Sequence, residues 1–196
     1  MDLEVELDRF LKIKTNGRDD SKSNQINYPY EATPYVALQA LSNSGYIRKK
    51  DFVIDYGSGK GRVGFYLAYS TKANVIGVEY DPRLYQAALK NKETALSSNR
   101  VTFYNINASE FEIPNEVTCL YFFNPFSVEI LDGVMEQLKK SKKNNDREVK
   151  LMFYYPSKEY IEYIKNIEGI IHLEDISLID SFKEYDEREY ISIYKI

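Results

Sequence analysis

Val53-Ile54-Asp55-Tyr56-Gly57-Ser58-Gly59-Lys60-Gly61 runs an apolar β-type segment straight into three glycines at alternate positions, and Arg62 to Tyr69 continues as a helix. Glycines so placed let a backbone approach a bound molecule closely, so the segment reads as a ligand loop rather than a plain turn. A phosphate-cradling P-loop is disfavoured by spacing, because Lys60 is followed by Gly61 instead of Ser or Thr, and no glycine stands five residues before it. A literal GxGxxG exists at Gly59, Gly61 and Gly64. It starts two residues late for a dinucleotide site, and Gly64 falls inside the helix, where it serves close packing on the sheet.

Outward from this loop, short β-rich runs alternate with amphipathic runs of helix length, the pattern of βαβ units and a mostly parallel sheet. The spacing predicts strands over 52–56, 74–79, 101–106, 117–123, 149–155, 170–178 and 189–194. The last two have no convincing helix between them, so an antiparallel hairpin is expected at the sheet's end. Thr33 before Pro34 and Asp81 before Pro82 read as helix starts, each a capping side chain before a proline suited to the first helical position. Ser127 precedes Val128, Leu131, Val134, Met135 and Leu138, one apolar stripe, and a further helix follows Ser157. Residues 1–27 are polar, with Gly17 to Asn24 loop-like, and read as a mobile arm or lid ahead of a single domain over 28–196.

Composition narrows the function classes. A chain of 196 residues with 43% hydrophobic and 29% charged side chains is one soluble domain's worth of material. A net charge of −4 supplies no general field for a polyanion, so a nucleic-acid partner is disfavoured. The cluster Lys139, Lys140, Lys142, Lys143, Arg147 and Lys150 reads as a solvated helix end. No apolar run reaches membrane-spanning length, and no membrane partner is expected. The single cysteine, Cys119, sits in an apolar run, reads as core and fits a reducing, cytoplasmic compartment. The one histidine, His172, reads as packed or on the surface, and together with one cysteine it builds no metal site.

Taken as acid-x-Gly-x-Gly-x-Gly from Asp55, the loop resembles motif I of class I S-adenosylmethionine-dependent methyltransferases, in small single-domain bacterial form. The resemblance implies a Rossmann-like α/β fold with a seven-stranded, mostly parallel sheet, an antiparallel C-terminal hairpin and helices on both faces. It further implies S-adenosyl-L-methionine as cofactor, held by Asp55, Gly57, Ser58, Gly59 and Gly61. Glu79, 18 residues past Gly61 and followed by Tyr80, takes the place of the family's ribose-binding acid. Asn107 and Ala108 match the adenine-contacting position, with Asn where an Asp is common. Asn124-Pro125-Phe126 resembles a shortened form of the motif Asn or Asp, Pro, Pro, aromatic, which marks methyl transfer to nitrogen. On that basis Asn124 and Phe126 are the catalytic candidates, the first also near the cofactor, with a nitrogen of a small molecule or protein as acceptor.

Alternatives stand beside these assignments. Asp55 either meets the cofactor's amino group or caps the loop's amides, and Asn124 either orients substrate or caps a helix. Lys60 and Arg62 read as solvated. Tyr28, Tyr30 and Tyr35 at the first helix, with Tyr154, Tyr155 and Phe126 on the same sheet edge, are either core or an aromatic cage for the acceptor, in which Tyr30, Tyr35, Tyr155 and Phe126 are the substrate-binding candidates. The rival functions are a nicotinamide-dependent oxidoreductase and a non-catalytic cofactor-binding subunit.

Overall fold

The computed structural model describes residues 2–19 and 30–196. Tyr28 and most of the expected loop lie outside the described residues. Part of the expected arm is instead a helix, α1 (Leu3–Leu11), whose N-cap Asp2 accepts the Glu4 amide. Its signal in the sequence is Leu3, Leu7 and Leu11 at i, i+4 and i+8, one stripe among charges. Leu11 and Ile13 are buried in the main core, so this stretch is a packed element and not a free arm. A two-residue antiparallel ladder follows, β1 (Arg18–Asp19) against β2 (Tyr30–Glu31).

Next in the chain come α2 (Tyr35–Asn43), β3 (Phe52–Tyr56), α3 (Arg62–Thr71), β4 (Asn74–Glu79), α4 (Pro82–Lys92) and β5 (Val101–Asn105). The second half carries β6 (Cys119–Phe122), α5 (Val128–Asn144), β7 (Lys150–Tyr154), α6 (Lys158–Lys165), β8 (Ile171–Ser177) and β9 (Tyr190–Lys195). Seven strands form one sheet in the order β5-β4-β3-β6-β7-β9-β8. The pairs from β5 to β7 are parallel, and β9 runs antiparallel to both β7 and β8. The expected sheet and terminal hairpin are therefore present, with strand ends trimmed by a residue or two.

Alternation along the central strands sorts the core into two layers. Val53, Val75, Cys119 and Met152 face Phe65, Leu67 and Leu38 on one side. Ile54, Val78, Leu120 and Leu151 face Leu131, Met135, Tyr160 and Ile164 on the other. Asp81 caps α4 as expected, accepting the Arg83 amide at 2.8 Å. Thr33 does not cap α2; its hydroxyl lies 3.2 Å from that of Tyr121, because the cap position falls on Pro34. His172 is on the surface beside Asp175. Among the described residues, no helix is long and apolar enough to cross a membrane.

Candidate functional site

The glycine loop links β3 to α3 at the carboxyl edge of the sheet, where open α/β sheets bind ligands. Its backbone is fastened to the end of β4. The Gly57 and Ser58 amides donate to the Val78 carbonyl, and the Gly59 amide donates to Glu79 Oε2 at 2.7 Å. Glu79 Oε1 accepts the Asp81 amide at 2.8 Å, while Asn105 Nδ2 donates to the Glu79 and Tyr80 carbonyls. The three glycines take left-handed backbone angles, and side chains at them would collide with neighbours. A Cβ at Gly57 would lie 2.4 Å from Pro125 Cβ, and one at Gly59 only 2.2 Å from the Tyr30 ring.

Asp55, one residue before the end of β3, has 2% of its surface exposed, and its Oδ2 has no hydrogen-bond partner among the described residues. The same holds for Ser58 Oγ. Burial, reinforced by nearby Glu79, pushes the Asp55 carboxyl up to about 8. Burial also raises the Glu79 pKa against the pull of the Asp81 and Gly59 amides. A buried carboxyl oxygen and a buried hydroxyl, both unsatisfied and on residues that line one cavity, lack a polar partner, and an ammonium group answers that need.

Asp55, Gly57, Ser58, Glu79, Tyr80, Asn107 and Ala108 line one cavity, together with Tyr30 and Phe126. It encloses about 90 Å³, below the roughly 300 Å³ of small ligand sites. The Tyr30 ring, seated on Gly59, forms part of its wall. Asn107 Oδ1 caps the following 3-10 turn, accepting from the Ser109 amide and hydroxyl at 3.1 and 3.0 Å. Gly59 and Gly61 are not in the cavity wall, and Gly61 owes its place to Phe103 and Phe65, which crowd its α-carbon.

Other candidates stand elsewhere. Tyr35 is in the core, with its hydroxyl donating to Asp8 at 2.7 Å. Asn124 spends both side-chain atoms on backbone: Nδ2 donates to the Tyr155 carbonyl, and Oδ1 accepts the Ser157 amide at 3.1 Å. It therefore clamps the end of β6 to the start of α6 and does not cap the helix after Ser127. Tyr155 faces a neighbouring hollow that it shares with Asn124, Tyr154 and Phe123. The Phe126 ring packs edge-on against Tyr56 and Phe122, so the aromatic ring common to cavity and hollow is Phe123.

Sequence reasoning missed Arg62, which is 3% exposed instead of solvated. Its guanidinium pairs with Glu4, lies 3.6 Å from Asp8, donates to Thr15 Oγ1 at 2.7 Å and covers the Tyr35 ring. Asn91 likewise joins Lys14 to the Lys60 carbonyl. The Lys60 ammonium stands 4.8 Å over the Tyr30 ring. The available signal was the acidic face of α1, Glu4 and Asp8 at i and i+4, which needs a cation once its neighbour Leu11 is buried.

A sequence profile described as a methyltransferase domain matches residues 47–166, the span from before β3 through α6. The chain belongs to that family. No curated protein matches this methyltransferase in sequence. Among solved structures, a putative RNA methyltransferase from Pyrococcus horikoshii is similar at 17% identity with a TM-score of 0.61, covering 100% of this chain and 96% of that one. A TehB-like SAM-dependent methyltransferase from Corynebacterium glutamicum has 14% identity and a TM-score of 0.57, over 81% and 87% of the two chains. An RNA methyltransferase from Salinibacter ruber, solved with S-adenosyl-L-homocysteine, has 19% identity and a TM-score of 0.52, over 84% and 92%. At these identities the likeness is one of fold, and it leaves the methyl acceptor of this methyltransferase open. The family sets aside the oxidoreductase reading.

Proposed function

We propose that this protein transfers a methyl group from S-adenosyl-L-methionine to a nitrogen acceptor in the cytoplasm, with its cofactor seated in the cavity at the glycine loop. The observation that carries the cofactor is the pair of unsatisfied buried atoms, Asp55 Oδ2 and Ser58 Oγ, on residues of a cavity that Asn107 and Ala108 also line. S-adenosyl-L-methionine, when bound, supplies a methyl group activated on a sulfonium sulfur. Asp55 and Ser58 hold an ammonium, Glu79 accepts from ribose hydroxyls with lone pairs its two amides leave over, and Asn107 and Ala108 border the base. Tyr30 leaves Gly59 as the ligand enters, which makes the Tyr30 ring a closing element. Phe123 and Phe126 exclude water from the reacting centre, where positioning and desolvation carry most of the rate.

Binding of S-adenosyl-L-homocysteine tests this. At a hundredfold excess over Kd a ligand adds about 2.7 kcal/mol, which raises Tm by roughly 5 to 10 °C for a chain of this size. A rise of that size, lost in Asp55→Asn, is expected. No shift at millimolar ligand, with a clear shift on NADH, overturns the reading. Radiolabelled cofactor incubated with separate small-molecule, protein and RNA fractions then identifies the acceptor class. Label confined to oxygen or sulfur acceptors removes the nitrogen assignment.

A further inference from the structure

A second hollow of about 470 Å³ opens beside the cofactor cavity and shares Glu31 and Phe123 with it. Its volume is that of a small-molecule site. Its wall is aromatic: the Phe123 and Tyr154 ring centres are 4.7 Å apart, those of Tyr154 and Tyr155 6.1 Å, and Phe182 completes it. Asn124 and Tyr155, at the strand ends that build it, hold left-handed backbone angles of 37° and 49° and are tied together by the Asn124 amide. An aromatic residue keeps such a conformation only where its surroundings enforce it.

The charges of this wall are unequal. Arg18 pairs with Glu31 at 3.4 Å, and just outside, Arg188 pairs with Asp186 at 3.4 Å. Half-buried Glu189 accepts the Tyr154 hydroxyl at 2.8 Å and has no salt-bridge partner among the described residues. Meanwhile the Arg188 guanidinium lies 4.1 Å over the Tyr155 ring centre, the chain's own cation resting on this aromatic wall. Burial, with the nearby Asp186, holds the Glu189 pKa up against the Tyr154 hydrogen bond and the Arg188 charge. Aromatic faces around a carboxylate with no salt bridge of its own among the described residues attract organic cations.

We propose that this hollow binds the methyl acceptor, and that the acceptor is a small organic amine, an ammonium ion at neutral pH, with Glu189 as its counter-ion. The inference rests on the methyltransferase reading. A nucleobase would also stack on these rings, but its phosphate would meet the Glu189 carboxylate, which has no salt bridge among the described residues. For methylation the ammonium gives one proton to Glu189 and thence to solvent. The freed nitrogen lone pair forms the N–C bond, and the electrons of the broken C–S bond stay on sulfur.

The test is calorimetric titration of the full chain at pH 7 with 2-phenylethylammonium chloride and with neutral 2-phenylethanol. The ammonium should bind at least tenfold more tightly, and Glu189→Gln should abolish that preference while S-adenosyl-L-homocysteine affinity stays within twofold. Phe182→Leu should weaken both probes together. Equal binding of the two probes, or a preference that survives in Glu189→Gln, overturns the proposal. Label transferred from radioactive cofactor to RNA and to no amine also overturns it, in favour of base stacking. If S-adenosyl-L-homocysteine does not bind while the ammonium preference persists, the methyltransferase reading has failed and the acceptor role falls with it.

Discussion

Glu79 accepts the Gly59 amide at 2.7 Å, so the acid at the end of β4 holds the glycine loop in shape before any ligand arrives. Its other oxygen accepts the Asp81 amide at the start of α4. One carboxylate thus fixes the loop of one βα unit and the helix start of the next.

Glu79→Ala should therefore lower stability and cofactor affinity together. Each charge-assisted hydrogen bond contributes about 1.5–3 kcal/mol, so a loss of at least ~2 kcal/mol in urea denaturation is expected. S-adenosyl-L-homocysteine affinity should fall by at least ~10-fold in calorimetry. An unchanged Kd would remove Glu79 from the ribose.

Asp55 makes both stability and binding depend on pH. Its carboxyl is raised to about 8, so the folded protein keeps a proton that the unfolded chain gives up near pH 4. Stability of the unliganded protein should decline as pH rises between those values, and Asp55→Asn should flatten that slope in denaturant melts. Holding an ammonium requires the ionised form, so binding of S-adenosyl-L-homocysteine at pH 7 should release about one proton. Calorimetry in buffers of different ionisation enthalpy reads this directly, and zero release would separate Asp55 from the ligand.

Gly59→Ala places a methyl group 2.2 Å from the Tyr30 ring, whereas Gly57→Ala places one 2.4 Å from Pro125, which cannot swing aside. Both should destabilise the protein. In a double-mutant cycle, Tyr30→Ala should recover about 1 kcal/mol in the Gly59→Ala background and nothing in Gly57→Ala. Equal recovery in both would mean that Tyr30 does not sit on the loop.

Arg62→Met should be among the most damaging single changes, because it strips the cation from Asp8, which is itself buried. Breaking a buried pair from one side costs about 3–5 kcal/mol. Hydrogen exchange should show α1 losing protection first. A loss under ~1 kcal/mol would mean that Arg62 does not hold α1 to the loop.

Much of this was legible in the chain. Val53 to Gly61 announces a strand, a glycine loop and a helix within a few residues, and Asp81-Pro82 states a helix start through its own capping chemistry. The apolar alternation of β3, β4 and β6 and the stripe of α5 carry their burial in their spacing. α1 was hidden because its apolar stripe is diluted by charges that only burial explains. Asn124 looked catalytic since its neighbours resemble a motif, yet the amide's partners, Tyr155 and Ser157, are 31 and 33 residues away.

The sequence by itself determined the succession of strands and helices from α2 onward, the glycine loop and the identity of Asp55 and Glu79 as its acids, because periodicity, capping and backbone freedom act over a few residues. Tertiary structure alone decided that Arg62 is buried on Thr15, 47 residues away, and that Tyr30 rests on Gly59. It also decided that Glu189 lines an aromatic hollow with Tyr154, 35 residues away, as its hydrogen-bond partner. Burial and charge compensation are properties of what surrounds a group, and those surroundings are assembled only when distant segments pack together.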